Sequence, residues 1–234
     1  ASGRYRIARM LPGHNEEARY RSPLTEIGVE AREGDYLLAI DGQSLAAPEN
    51  PYRLLRHRAG GTVVLTLDGD PDPEGAREVE VRPVTSESEL HYLDMVLRRR
   101  AMVSELSGGR LGYLHVPDMG ANGIREFIKW YYGQVRKDGL VVDVRNNGGG
   151  YTADLVLASI MVRPHAYTVP RGADPEMKTG YPQDRLFIQR YVKPMNMLCN
   201  EKSFSNAEIV SHAFKTLERG TLVGEQTYGG VIST

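Results

Sequence analysis

One stretch with the features of a catalytic turn runs from Asn200 to Ile209, with Ser205 near its centre. An apolar run, Met195 to Leu198, precedes this stretch, and an amphipathic pattern that predicts a helix follows it. Ser205 is therefore expected in a tight turn, beside unpaired N–H groups and the positive end of the helix dipole. A nucleophilic serine would gain stabilisation there. The simpler interpretation is a helix N-cap, because serine is a preferred N-cap residue.

A second stretch with chemical potential is the glycine loop Asn147-Gly148-Gly149-Gly150, between a predicted buried strand and a predicted helix. Glycines let backbone N–H groups approach a ligand with no Cβ in the way. Phosphate binding is disfavoured, because the Lys-Ser/Thr of a phosphate loop and the dinucleotide glycine spacing are absent. An oxyanion hole is the other use. Loops that follow parallel strands gather at one edge of the sheet, so the glycine loop and the serine turn together favour Ser205 as a nucleophile.

A serine nucleophile needs a base, and the sequence offers no evident one. His212 shares the predicted helix with Ser205, but seven residues place it roughly 10 Å along the axis, beyond the ~3 Å that a base requires. His115 lies in a predicted strand and is expected to be structural. His165, at the start of the irregular stretch, is kept as a candidate base. A Ser-Lys dyad is the other route, but the turn 227–230 contains no lysine. The other histidines, His14, His57 and His91, belong to the first module and the linker.

The predicted strands and helices around these residues fall into two groups. Residues 1–84 predict a small β-rich module, with strands such as Arg4 to Met10 and Tyr36 to Ile40, and short helices after Pro23 and Pro51. Residues 85–109 predict a linking helix. From residue 110 strand and helix alternate, which indicates an α/β layer fold. The irregular stretch 164–193 predicts a surface loop beside a cleft.

Composition excludes several classes of function. The net charge is −1, so no electrostatic case exists for nucleic acid or an anionic membrane. No apolar run reaches the ~20 residues of a membrane span. The one cysteine, Cys199, allows neither an internal disulfide nor a thiolate zinc site, and we expect no metal and no cofactor. Both ends pass directly through strand-like segments, so we expect a chain truncated at each end. No signal peptide opens the sequence, and we expect a cytoplasmic rather than a secreted protein.

Several motifs carry a family resemblance. The run from Ser22-Pro23-Leu24 to Asp41-Gly42 resembles a bacterial PDZ domain. The run Gly139 to Gly150, the serine turn and Thr227-Tyr228-Gly229-Gly230 resemble the carboxy-terminal-processing peptidases, and most closely their tricorn protease branch. PDZ domains bind peptide termini by adding a strand to a sheet edge, for which Arg4 to Met10 is the best candidate here.

The resemblance implies a serine peptidase with a core of the crotonase/Clp type. It implies the nucleophile at Ser205 and oxyanion donors at the N–H of Asn206 and of Gly148 or Gly149. In the tricorn branch the base is a histidine before the PDZ module, oriented by residues that include a glutamate beyond the serine region, and both positions lie outside this sequence. The tricorn protease has an aspartate after its nucleophile, where this chain has Asn206. Peptide substrates and a hexameric assembly are also implied.

The sequence therefore predicts a PDZ-like domain (1–84), a linking helix (85–109) and an incomplete α/β serine peptidase core (110–234) that hydrolyses peptides through an acyl-enzyme on Ser205. We expect residues 1–234 alone to be inactive, because the base is absent. One alternative is a peptide-binding PDZ module on a non-catalytic crotonase-like scaffold. Another is a crotonase-like acyl-thioester enzyme, which depends on fold analogy alone.

Overall fold

A computed structural model describes residues 2–163 and 190–232, together with residue 169, residues 171–174 and residue 176. The chain divides into two compact units, residues 1–97 and residues 98–234. The predicted boundaries at 84 and 109 remain predictions. No helix in the described ranges is long and apolar enough to cross a membrane. Most of the predicted surface loop at 164–193 lies outside the described residues.

The first unit contains a five-stranded antiparallel sheet. Its strands are β1 (Tyr5–Arg6), β2 (Tyr36–Ile40), β3 (Gln43–Ser44), β4 (Val63–Asp68) and β5 (Arg77–Val81). They pair in the order β1-β2-β4-β5, and β3 pairs with β2. Alternate side chains of β4 and β5 are buried, as expected for a sheet with one covered face, and the core includes Ile40, Leu45, Val63 and Leu67.

The regular structure at the start of this unit is shorter than the sequence predicts. The strand expected over Arg4 to Met10 is regular only at Tyr5–Arg6, although Ile7 still exchanges two backbone hydrogen bonds with Gly34 and Asp35. The two helices predicted after prolines are single 3₁₀ turns, Pro23–Thr25 and Pro51–Arg53. Proline favours the first turn of a helix. In such short segments, too few hydrogen bonds form to offset the free-energy cost of starting a longer helix.

A helix, α1 (Ser88–Leu106), lies within the range predicted for the linking helix and begins three residues after the predicted start. Its buried residues Leu90, Leu93 and Val96 recur at helical spacing. In the first unit the carboxylate of Asp94, which is almost fully buried, pairs with the guanidinium of Arg9.

The second unit alternates strands and helices around a parallel sheet. Its strands, in the order β6-β7-β8-β9, are β6 (Leu111–His115), β7 (Gly139–Asp143), β8 (Met195–Cys199) and β9 (Thr221–Gly224). Its helices are α2 (Ala121–Tyr132), α3 (Ala153–Ile160) and α4 (Asn206–Thr216). The predicted mixed α/β class is confirmed, and the continuous apolar strand predicted at 140–144 is central β7, most of whose residues are buried.

The register of this sheet decides which loops meet. His115 pairs with Asp143, Asp143 with Leu198, and Cys199 with Gly224, so the ends of neighbouring strands are level to within one residue. All four strands are parallel, and their following segments therefore leave from one edge of the sheet. The glycine loop follows β7 and the serine turn follows β8, so both start at this edge.

Candidate active site

The serine turn holds Ser205 in an unusual backbone conformation. Ser205 is the N-cap residue of α4, but its φ of 54° and ψ of −114° lie outside the extended region that ordinary N-caps adopt. A positive φ in a residue other than glycine is uncommon and marks a constrained position. The side chain of Ser205 is half-buried. The serine is therefore a helix cap by position, but its backbone is strained in a way that capping alone does not require.

Hydrogen bonds of two residues that precede Ser205 hold the turn in place. The hydroxyl of Ser203, which is fully buried, donates to the Val144 carbonyl over 2.8 Å. The side-chain oxygen of Asn200 accepts the N–H of Asn146 over 2.9 Å, and its amide nitrogen donates back to the Asn146 side chain over 3.1 Å. The turn is thereby tied to the end of β7 and to the start of the glycine loop.

The glycine loop is fixed by the side chain of Asn147, which is fully buried. Its amide nitrogen donates to the Val116 carbonyl and its amide oxygen accepts the N–H of Gly149, both over 2.9 Å. The backbone carbonyl of Asn147 accepts the N–H of Phe204 over 2.9 Å. One residue thus joins the end of β6, the glycine loop and the serine turn.

The two loops meet at Gly149. A Cβ built on Gly149 would lie 2.8 Å from the Ser205 Cβ, 2.8 Å from the Phe204 carbonyl oxygen and 3.2 Å from the Asn206 nitrogen. Distances of this kind leave no room for a side chain, and the φ of +85° at Gly149 also favours glycine. The structure therefore brings the predicted glycine loop and the predicted serine turn into direct contact.

The backbone N–H groups at this contact are not equally available. Gly149 donates its N–H to Asn147, whereas the N–H groups of Gly148 and Asn206 have no acceptor in the part of the chain that the structure describes. Asn206 uses its side chain separately, because its amide oxygen accepts the N–H of Ala153 over 2.8 Å. That bond caps the first turn of α3 and links it to the first residue of α4.

Glu208 joins the serine turn to the segment after β9. Its carboxylate, which is only 7% exposed, accepts the N–H of Ser205 over 2.7 Å. It also accepts the Thr227 hydroxyl and the N–H groups of Gly229 and Gly230, over 2.9, 2.6 and 3.0 Å. Burial raises the pKa of Glu208, but the hydrogen bonds from the glycines, Ser205 and Thr227 outweigh it and hold the pKa below its ordinary value.

A buried charged network supports the end of β7. Asp143 is fully buried and accepts hydrogen bonds from the Arg145 side chain, from Arg99 and from the Tyr113 hydroxyl, the last over 2.6 Å. Burial pushes the pKa of Asp143 up, but these hydrogen bonds outweigh it and leave the pKa low. His115 is also buried, its Nε2 lies 2.9 Å from the Arg145 carbonyl oxygen, and burial lowers its pKa.

No base pairs with Ser205 among the described residues. No hydrogen bond joins its side chain to a histidine or a lysine there. His212 is exposed and its Nε2 lies 3.4 Å from the Thr216 hydroxyl, and His115 makes the buried contact given above. His165 lies outside the described residues. In those ranges one group could offer metal ligands, His14 with Glu16 and Glu17, which belongs to the first unit and has no further sign of a metal.

Two contributors to this site were not identified from the sequence. The Ser-x-x-Glu spacing from Ser205 to Glu208 is a capping-box signature that could have drawn attention to Glu208. The sequence identifies Asn147 only as a loop residue, because no local pattern shows that its side-chain oxygen accepts the N–H of Gly149.

The comparisons with known proteins agree with this geometry. Residues 110–234 match the model of Peptidase family S41, and residues 1–86 match the model of the tricorn protease PDZ domain. The first match covers more than half of the chain. The chain belongs to peptidase family S41. The resemblance inferred from the motifs is thereby confirmed, as is the PDZ-like character of the first module.

Several proteins similar to this chain are named as tricorn proteases or their homologues. The chain is 42% identical to Tricorn protease homolog 1 of Streptomyces coelicolor over 98% of this chain and 21% of the relative. It is 31% identical to the tricorn protease of Thermoplasma volcanium over 99% of this chain and 22% of that protein. The crystal structure of the tricorn protease matches 99% of the S41 chain and 22% of its own, with a TM-score of 0.83 and 31% identity. The chain thus spans about a fifth of the length of these relatives.

Proposed function

We propose that the protein is a serine peptidase of the tricorn and carboxy-terminal-processing type, which hydrolyses peptides through an acyl-enzyme on Ser205. The observation that carries this proposal is the contact between Gly149 and Ser205, which places a backbone donor loop against a strained serine at a helix N-terminus. Family S41 membership supports the same reaction class. The simple N-cap role does not account for the glycine loop packed on the serine.

The oxyanion in this proposal is bound by two backbone N–H groups, those of Asn206 and Gly148. Both lack an acceptor in the described ranges, whereas the N–H of Gly149 is held by Asn147. Gly149 instead provides the close approach, because any Cβ at this position would meet the serine turn. Preorganised donors of this kind need no reorganisation when negative charge develops on the carbonyl oxygen.

The base belongs to sequence outside residues 1–234 in this proposal, as the family resemblance implies for the tricorn branch. It is a histidine preceding the PDZ module, oriented by a glutamate beyond the serine region. Residues 1–234 alone are then expected to show little or no turnover. The proposal also includes a core of the crotonase/Clp type, a hexameric assembly, a cytoplasmic location and no bound cofactor.

A fluorophosphonate probe applied to the full natural chain tests the nucleophile. We expect labelling that maps to Ser205 and disappears in Ser205→Ala, while Ser104→Ala on α1 labels as the natural chain does. Absence of labelling, together with peptide hydrolysis that Ser205→Ala leaves unchanged, would overturn the proposal. Robust peptide hydrolysis by residues 1–234 alone would show that the base lies inside them.

A second candidate function is peptide binding by the PDZ-like module. Ile7, Arg9 and Met10 line a cavity of about 970 Å³ within the first unit. Leu37, Leu55 and Leu67 contribute apolar walls to it. Regular pairing of β1 occurs on one side, with β2, in the described part of the chain. An extended peptide could therefore add to the other side and bury apolar side chains.

Fluorescence anisotropy with a labelled peptide that ends in an apolar residue tests this second function. Leu55→Asp is expected to weaken binding at least tenfold, because it places a charge in the apolar wall. Ile27→Asp is the control, since Ile27 is fully exposed in the same unit. Equal affinity for both variants, or no binding to the natural chain, would contradict a peptide-binding role.

A further inference from the structure

The segment Thr227 to Gly230 is attached to the serine turn at three points. The N–H of Tyr228 donates to the Ser203 carbonyl over 3.1 Å. The rings of Tyr228 and Phe204 meet edge to face, with centroids 4.9 Å apart. The third point is the carboxylate of Glu208, which is the one that reaches the backbone of Ser205 itself.

Glu208 distributes four hydrogen bonds evenly over its two oxygens. One oxygen accepts the Thr227 hydroxyl and the N–H of Gly229, over 2.9 and 2.6 Å. The other accepts the N–H groups of Ser205 and Gly230, over 2.7 and 3.0 Å. Four donors satisfy a buried carboxylate, and the N-terminus of α4 adds a favourable dipole.

Close packing also restricts the space around Gly230. A Cβ built on Gly230 would lie 2.2 Å from a ring carbon of Phe204 and 2.8 Å from one of Tyr228. Phe204 and Gly230 are therefore in close contact. A displacement of the segment would be transmitted to Phe204 and, through Glu208, to the N–H of Ser205.

We propose that Glu208 is a positioning residue, which holds the Ser205 backbone in its strained conformation by anchoring it to the 227–230 segment. This inference builds on the proposed function, since positioning matters only if Ser205 is the nucleophile. A strained backbone conformation such as that of Ser205 persists only where surrounding contacts hold it in place. A single carboxylate oxygen shared by Ser205 and Gly230 supplies that restraint.

Glu208→Gln is the informative substitution, because an amide replaces one acceptor oxygen with a donor nitrogen. In either orientation the amide nitrogen faces at least one backbone N–H, that of Gly229 or those of Ser205 and Gly230. In the full natural chain, at a temperature where both proteins are folded by circular dichroism, we expect the rate constant of fluorophosphonate labelling to fall at least tenfold. With a short peptide substrate, kcat should fall while KM changes less than threefold.

Two further variants separate positioning from general damage. Thr227→Val removes one of the four donors at nearly constant volume and should lower the labelling rate by a few fold. Glu201→Gln, on an exposed residue of the same turn, should label at the natural rate. If Glu208→Gln does not fold, Thr227→Val decides the question. A labelling rate per folded molecule within twofold of the natural chain in the deciding variant would overturn the inference.

Hydrogen exchange provides a readout that does not depend on catalysis. At least one of the amides of Gly229 and Gly230 should exchange at least tenfold faster in Glu208→Gln than in the natural chain, and unchanged exchange at both would overturn the inference. If the natural chain is not labelled at Ser205, the proposed peptidase function fails. Faster exchange would then establish the anchor without a catalytic role, which also overturns the inference as stated.

Discussion

Gly149 lies against Ser205 so closely that a Cβ on the glycine would come within 2.8 Å of the Cβ of the serine. Two loops separated by more than fifty residues in sequence are therefore in contact at the point where the proposed chemistry occurs. The contact follows from the parallel register of β7 and β8, which brings both strand ends to one edge. Four predictions follow from the arrangement of the loops around this contact.

The substitution Gly149→Ala should separate the two loops. The backbone strain of a positive φ costs about 1–3 kcal/mol, and overpacking adds about 1–3 kcal/mol. We expect denaturant unfolding to report both losses, and fluorophosphonate labelling of Ser205 in the full chain to fall at least a hundredfold. Gly108→Ala is the matched control, because its φ is also positive but nothing lies within 4 Å of its Cβ. Equal effects of the two variants would contradict a steric role for Gly149.

The substitution Asn147→Asp tests the buried anchor of the glycine loop. A carboxylate retains the acceptor for Gly149 but loses the donor to Val116 and places a charge beside a carbonyl. We expect the free energy of unfolding at neutral pH to fall by about 1–3 kcal/mol or more. Asn196→Asp, on an exposed residue of β8, should change it by less than about 0.5 kcal/mol. Comparable losses in the two variants would show that Asn147 is not an anchor.

Asn206 should matter for stability through its side chain and for catalysis through its backbone. Asn206→Ala removes the acceptor for the Ala153 N–H and should cost about 1 kcal/mol, as the loss of a helix cap does. Asn206→Asp retains that acceptor and the backbone N–H, so its stability and labelling rate should stay near those of the natural chain. A loss in Asn206→Asp as large as in Ala would show that the amide nitrogen has a role.

The stability of the protein should depend on pH through Glu208. Its pKa is lowered in the folded state, so its contribution is present above the ordinary value of 4.5 and is lost as the pH falls through the folded value. The groups that face the carboxylate are N–H and O–H donors, from Ser205, Thr227, Gly229 and Gly230, none of which ionises in this range.

Denaturant unfolding of the natural chain and of Glu208→Gln between pH 3 and 7 measures this contribution. The difference in unfolding free energy between them should be constant at the upper end and should shrink below about pH 4.5, the ordinary value. Other carboxylates cancel in the difference. A difference that stays constant down to pH 3 would mean that the pKa of Glu208 is the same in the folded and unfolded states.

The order of elements in the second unit was predictable from the sequence alone. Apolar runs such as 140–144 predict buried strands, amphipathic spacing predicts α2 and α4, and glycine between a strand and a helix predicts a loop with free N–H groups. Predictions were weakest in the first unit, where a proline-initiated segment such as Pro51–Arg53 forms only a 3₁₀ turn. Local propensity gives the start of such a segment, but tertiary packing decides its length.

The family motifs, the alternation of strands and helices, and the positions of Ser205 and the glycines can all be read from the amino-acid sequence. The fold is needed to see that Asn147 accepts the N–H of Gly149, whereas that of Gly148 has no acceptor in the described ranges, and that Glu208 anchors the segment after β9. In both bonds a backbone N–H donates to a side-chain oxygen, and the bond from Gly229 to Glu208 joins residues that are 21 positions apart. Local periodicity cannot specify such bonds, because they depend on the register and packing of strands that meet only in the folded protein.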